Sequence, residues 1–124
     1  MILSLPYPPT MNMYWRSVPM GKRFAVLISK EGRKYKETVA AIIAMKFMAG
    51  EMEQLTGPLR VSILVARPDR RRRDLDNLLK PLLDALGHAG VYKDDSQIVD
   101  LRIAWAAQGS GAVVDVQKVC EVKA

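Results

Sequence analysis

A leucine stripe limits this chain's folding options more than any other feature. Leu75, Leu78, Leu79, Leu82, Leu83 and Leu86 recur at intervals of three and four, which places them on one face of an α-helix that has to be covered. Just upstream, Leu59 to Ala66 sets Val61, Ile63 and Val65 on alternate positions and reads as a strand. Just downstream, Val99, Leu101, Ile103 and Trp105 alternate with Asp100, Arg102 and Ala104, a half-buried strand. Strand, helix and strand over residues 59–106 admit a parallel pair joined by a right-handed crossover. Pro81 falls inside the helix and removes a backbone bond near residue 77, which predicts a kink or a late start.

The flanks are shorter pieces. Ile2 to Leu5 can open a strand, after which Pro6, Pro8 and Pro9 forbid regular pairing and predict an extended loop to about Pro19. Phe24, Val26 and Ile28 alternate and predict a second strand. Ser29 is a candidate N-cap for a helix from Arg33 to about Ala49, whose face carries Tyr35, Val39, Ile42, Ile43 and Phe47 and which Gly50 ends. Gln108 to Gly111 is turn material, so Ala112 to Val119 is expected to pair back on the preceding strand as a hairpin. The expected order is β-β-α-β-α-β-β: an α+β fold with a single mixed sheet and two helices on one face.

At 124 residues the chain is expected to form a single domain, residues 1–124. Lys and Arg number 19 against 13 Asp and Glu, a net charge of +6 that favours a polyanionic partner such as nucleic acid. One cysteine, Cys120, and one histidine, His88, exclude a disulfide framework and any cysteine- or histidine-cluster metal site. A metal here must be held by oxygen, which points to a hard ion such as Mg2+ or Mn2+. The start lacks the basic region of a signal peptide, and the apolar stretch from Thr38 to Met45 is too short to span a bilayer. A soluble cytoplasmic protein with no membrane contact is the expectation.

The chemistry concentrates between Arg67 and Gln97. Arg70, Arg71, Arg72 and Arg73 repel one another unless anions are near, and a guanidinium fork suits phosphate. A solvated loop, or pairing with Asp69 and the aspartates that follow, explains the run equally well. Asp74 and Asp76 sit at the strand-to-helix junction. They share a direction only where the chain is extended, because on a helix they diverge by about 200°. Helix capping accounts for one of them more simply than for both. Asp94 and Asp95 by themselves make an ordinary turn. If several of these carboxylates share a pocket, each close pair costs about 4 kcal/mol at ~4 Å and an effective dielectric of ~20, which a divalent cation removes. Lys80 lies one turn beyond Asp76, where it either neutralises a phosphate or pairs with Asp76 or Asp84.

The string Asp74-Leu75-Asp76-Asn77-Leu78-Leu79-Lys80, with Asp84-Ala85-Leu86 and Tyr92-Lys93-Asp94-Asp95-Ser96-Gln97, resembles the RusA-type Holliday junction resolvases. Pro6-Tyr7-Pro8-Pro9-Thr10 with Asn12, Tyr14 and Arg16 is similar to that family's amino-terminal pattern. The resemblance implies a homodimeric, Mg2+-dependent endonuclease that resolves four-way DNA junctions by paired, symmetric nicks. It implies that Asp74, Asp76 and Asp95 are metal-binding carboxylates, that Lys80 is the catalytic lysine and that Arg73 contacts DNA, with Asp94 in support. Arg70, Arg71, Arg72 and Arg16 are the further candidates for gripping the backbone. Pro81, beside Lys80, bears on the angle at which that lysine is presented.

A dimer suits the task, since two nicks of like polarity need two sites related by a two-fold axis. The leucine stripe can serve core and interface alike. Two rival functions remain open at this point: a non-catalytic junction- or duplex-binding protein, which needs the arginines but not three aspartates, and a nuclease of the same chemistry acting on flaps, forks or RNA. Tyr14 and Trp15 either stack on an unpaired base or anchor a loop against the sheet.

Overall fold

A computed structural model describes residues 1–119; Cys120 lies outside them. The elements run β1 (Ile2–Leu5), α1 (Met11–Tyr14), β2 (Trp15–Met20), β3 (Arg23–Ile28), α2 (Lys30–Met48), β4 (Leu59–Ala66), α3 (Asp76–His88), a 3-10 turn (Asp95–Gln97), β5 (Ile98–Ala106) and β6 (Ala112–Lys118). The fold is α+β with a mixed sheet, as the residue pattern implies. Among the described residues no helix is long and apolar enough to cross a membrane.

The main sheet has the order β1-β6-β4-β5. β4 and β5 are parallel, with Leu59 opposite Ile98 and Ala66 opposite Ala106, and α3 is the crossover between them. Leu3, Leu5, Val61, Ile63, Val65, Ala112, Val114 and Val116 are buried on one face of the sheet, with Val39 and Ile43 of α2 and Leu78, Leu82 and Leu86 of α3 in the same core. Burial alternates along β1, β4 and β6, so the helices cover one face and leave the other open.

Two expectations are corrected. The last strand does not pair back on β5. β6 lies between β1 and β4, antiparallel to both. Its alternating residues Ala112, Val114 and Val116 are almost fully buried. Gly111 makes the placement possible: its φ is +73° and any Cβ there would overlap the Leu5 carbonyl oxygen. The loop expected to run to Pro19 holds the short α1 and a strand, β2, which forms a separate two-stranded sheet with β3. Pro19 is tolerated because a two-stranded ribbon is all edge. The fold therefore has a second small sheet and a third helix beyond those expected.

The ribbon's root is tightly held. Ser29 is the N-cap of α2, accepting from the Gly32 N–H at 3.0 Å. Its hydroxyl donates to the Met13 carbonyl, and its N–H donates to the Tyr14 carbonyl at 2.7 Å. α2 begins at Lys30 rather than Arg33, because this cap sits directly before it. Gly32 is buried where the Tyr14 carbonyl passes, leaving no room for a Cβ. Gly32→Ala is therefore expected to destabilise the fold by about 1–3 kcal/mol, as overpacking does, read as a lowered urea midpoint; an unchanged midpoint would contradict this close approach.

Candidate active site

The loop 67–75 leaves the end of β4 that adjoins Gly111 and β1, since the Ala66 N–H donates to the Gly111 carbonyl at 2.9 Å. Arg67 opens it with its guanidinium 4.3 Å from the ring centre of Trp105. Asp69 then gathers part of the arginine run: Arg73 donates to it at 2.8 Å, the Arg71 N–H at 2.9 Å, and the Arg71 side chain lies 4.0 Å away. Pairing with Asp69 thus accounts for two arginines. Arg70 and Arg72 are exposed and, among the described residues, in no ion pair.

Arg73 meets the amino-terminal proline string. With Pro6, Tyr7, Pro8, Pro9, Thr10, Lys34 and Tyr35 it lines a recess of about 450 Å3. Two segments far apart in the sequence, each carrying part of the family resemblance, therefore share one surface. Burial raises the Tyr7 hydroxyl's pKa above its ordinary value, against the pull of Arg73.

Asp74 precedes α3 and Asp76 is its first residue. Neither caps it. The N-cap is Leu75, in a helical conformation and with no side-chain bond, and the first turn closes through backbone bonds from Asn77 to Asp74 and from Leu78 to Leu75. Pro81 is buried five positions beyond Asp76, and the helix runs through it. The exposed carboxylates of Asp74 and Asp76 have no hydrogen-bond or ion-pair partner among the described residues. Capping, the simpler sequence explanation, is not their use.

Lys80 is exposed and pairs with neither Asp76 nor Asp84. It lines a recess of about 690 Å3 with Met11, Asn12, Trp15, Arg16, Ser17 and Val26. The expected catalytic lysine and Arg16 are thus brought together, at the foot of the ribbon. Trp15 packs edge-on against Tyr14 at 4.4 Å between ring centres. Tyr14 is fully buried, so it anchors this segment and is not free to stack on a base.

Asp95 is elsewhere. It opens the 3-10 turn before β5, at the Leu59 end of β4, whereas Asp74 follows the Ala66 end. The thirteen residues of α3, at ~1.5 Å each, set the two ends about 20 Å apart. Among the described residues no three His, Cys, Asp or Glu side chains gather closely enough to hold a metal ion. Within one chain, Asp95 does not join Asp74 and Asp76. It lines instead a recess of about 340 Å3 with Lys36, Asp84, His88, Tyr92, Lys93 and Asp94.

Asp94 caps the 3-10 turn, accepting from Ser96 at 3.1 Å, while the Gln97 side chain accepts from the backbone N–H groups of Lys93 and Asp94. The Ser96 backbone N–H, then the Asp95 side chain, hold the Asp94 carboxyl below the usual carboxylate range. The cap's contribution is therefore present at neutral pH and lost as pH falls through that lowered value. Tyr92 is pushed up, first by burial and then by Asp95, Asp84 and Asp94.

One arrangement escaped sequence reasoning. Buried Tyr14 donates its hydroxyl to Asp84, which also pairs with Lys36 at 3.8 Å. This ties α1, α2 and α3 together beneath the ribbon. A tyrosine, a lysine and an aspartate this distant in sequence carry no local signal. The Tyr14 hydroxyl is raised well above its ordinary pKa by burial and then by this bond.

The chain matches the family model described as Endodeoxyribonuclease RusA over residues 6–117. The chain belongs to the RusA endodeoxyribonuclease family. It is 39% identical over 120 residues to the crossover junction endodeoxyribonuclease rusA of Enterobacteria phage HK97, covering 96% of this chain and 92% of that protein. It is 44% identical to the protein of that name from Enterobacteria phage 82, over 82% of this chain and 78% of the other. Against the crossover junction endodeoxyribonuclease RusA of Escherichia coli K12 it is 42% identical over the same shares.

Tyr14→Phe should lower stability by about 1 kcal/mol, because Asp84 keeps Lys36 and its side chain is 42% exposed. Denaturant unfolding of Tyr14→Phe, Asp84→Asn and the double variant should show non-additive losses; fully additive losses would mean that the two groups do not act together.

Proposed function

We propose that this chain is a crossover junction endodeoxyribonuclease, a phosphodiester hydrolase that nicks four-way DNA junctions. The observation that carries the chemistry is the unpartnered pair Asp74 and Asp76 at the head of α3, beside arginines of which two have no acidic partner. Family membership, and the names of the relatives from phages HK97 and 82 and from E. coli, supply the substrate class. Such an enzyme works where the DNA is, in the cytoplasm.

The donors suit Mg2+, with Mn2+ as substitute. They are hard carboxylate oxygens that no protein cation claims, and Mg2+ takes only one or two carboxylates, completing its shell with water and phosphate oxygens. Bound there, the ion would supply a more acidic water and charge compensation at the phosphate. Asp74 and Asp76 would hold it. Lys80, one turn along, offers its ammonium to the phosphate as negative charge builds during water attack and ester cleavage. Arg70, Arg71, Arg72, Arg73 and Arg16 grip the backbone and set its register.

Asp95 enters this scheme through a homodimer. A two-fold axis passing beside the middle of α3, perpendicular to it, would run the partner's α3 antiparallel alongside and bring the partner subunit's Asp95 towards Asp74 and Asp76. The same axis relates two sites for two nicks. Mixed dimers test this directly. Asp76→Asn and Asp95→Asn homodimers should each bind junctions and fail to cut, while a mixture of the two should recover nicking through one reconstituted site. A mixture as dead as its parents would remove Asp95 from a shared site.

Mg2+ should support paired symmetric nicking of a four-way junction, and Ca2+ binding alone. Binding without nicking in any metal would favour the non-catalytic module, and equal cutting of flaps or forks would move the substrate. Arg70→Ala with Arg72→Ala removes four arginines from the proposed dimer and should flatten the dependence of log affinity on log salt by about 3.6, near 0.9 per lost phosphate contact. An unchanged slope would place those arginines off the DNA.

A further inference from the structure

The β2–β3 ribbon projects from the body. Its strands pair only with each other, and large apolar side chains stand in solvent on it: Phe24 is 74% exposed, Val26 68% and Met20 62%. Registers of Trp15 with Ile28, Ser17 with Val26 and Pro19 with Phe24 put these six on one face. That face is partly buried at Trp15 and Ile28, where it enters the body, and runs outward through Val26 to Phe24 near the tip. The other face carries Arg16 and Arg23 at its two ends, with Lys22 in the turn. The chain has no acidic residue before Glu31, and Arg16, Lys22 and Arg23 form no ion pair among the described residues.

We propose that this ribbon is a wedge for the branch point of the DNA, with Phe24 and Val26 receiving bases that have lost their partners and Arg16, Lys22 and Arg23 holding the adjoining backbone. The proposal rests on the reading of the chain as a junction nuclease. Two observations favour DNA as the occupant. The apolar face opens onto the recess that holds Lys80, through Val26, Ser17 and Trp15, so whatever lies along it also meets the lysine assigned to the scissile phosphate. The surface combines unpaired cations with exposed apolar side chains and carries no carboxylate, which suits a polyanion with exposed base faces. The root is fixed by Ser29, Tyr14 and Gly32, so the blade is held ready and little ordering is left to binding.

The test uses a four-way junction with 2-aminopurine at the branch point, bound in Ca2+ at fixed salt, alongside a linear duplex of the same arms. Wild-type protein should raise the fluorescence of the unstacked base. Phe24→Ala, at a site too exposed to disturb folding, should lose most of that rise and about tenfold in preference for junction over duplex, near the effect of one stacked base. Its duplex affinity and its mass by sedimentation equilibrium should not change, and Phe24→Trp should behave as wild type. A full fluorescence rise and unchanged preference in Phe24→Ala would overturn the wedge. A fall in mass would overturn it too, assigning the face to a second copy. Wild-type protein that neither prefers nor nicks the junction would instead defeat the nuclease reading on which the wedge rests.

Discussion

Parallel pairing of β4 with β5 is the constraint from which the functional layout follows. Two parallel strands need a connection that returns the chain along the whole length of the sheet, and α3 is that return. Everything attached to the ends of α3 is thereby divided between the two ends of the sheet. Asp74, Asp76 and the arginine loop belong to the end where β4 finishes, and Asp94 and Asp95 to the end where β5 begins. No side-chain adjustment removes a separation built into the backbone. A carboxylate set spanning both ends needs a second copy of the chain, and a two-fold operator is the simplest way to bring one copy's head to the other's tail.

Much of this was legible in the sequence because local periodicity carried it. The alternation in Leu59 to Ala66 reproduces β4 to the residue, the leucine stripe reproduces α3, and the parallel unit follows from their order. Ser29 was readable as a cap because a side-chain oxygen before a helical pattern has one common use. The position of β6 was not readable. Ala112 to Lys118 has the same alternation whether it pairs with β5 or slips between β1 and β4, and the choice is made by Gly111 passing under Leu5, a contact between residues remote in sequence. β2 was hidden because Pro6, Pro8 and Pro9 predict an extended loop to about Pro19, and a two-stranded ribbon takes up part of that stretch.

The functional residues divide in the same way. Types and spacing from Asp74 to Gln97, with the amino-terminal residues Pro6 to Arg16, carried the resemblance to the RusA family, and the family match over residues 6–117 bears it out. Spatial grouping was another matter. Arg16 beside Lys80, Arg73 beside the proline string and Tyr14 on Asp84 are meetings between segments that only the packed helices bring together. Tyr14 shows how the two levels differ. As an aromatic in a loop it reads equally well as a base-stacking group or an anchor, and its complete burial decides for the anchor. The exposed aromatic on the adjoining ribbon is Phe24.

The electrostatics of the arginine loop bear on the metal reading. Asp69 takes Arg73 and Arg71, so the protein does pair carboxylates with guanidinium groups where that serves the loop. Asp74 and Asp76 follow within a few residues and take none. Left bare, both charges would push a phosphate away from the surface that Arg70, Arg72 and Lys80 make attractive, and would lower affinity for the very ligand those cations favour. Nor do the two carboxylates bring the helix cap that would justify them structurally. On the proposed reading a divalent cation would cancel the pair's two negative charges and offer its open coordination positions to a phosphate beside Lys80. The unspent acidity at the head of α3 is what the proposed metal-assisted phosphodiester hydrolysis would use, and a simple binding surface has no need of it.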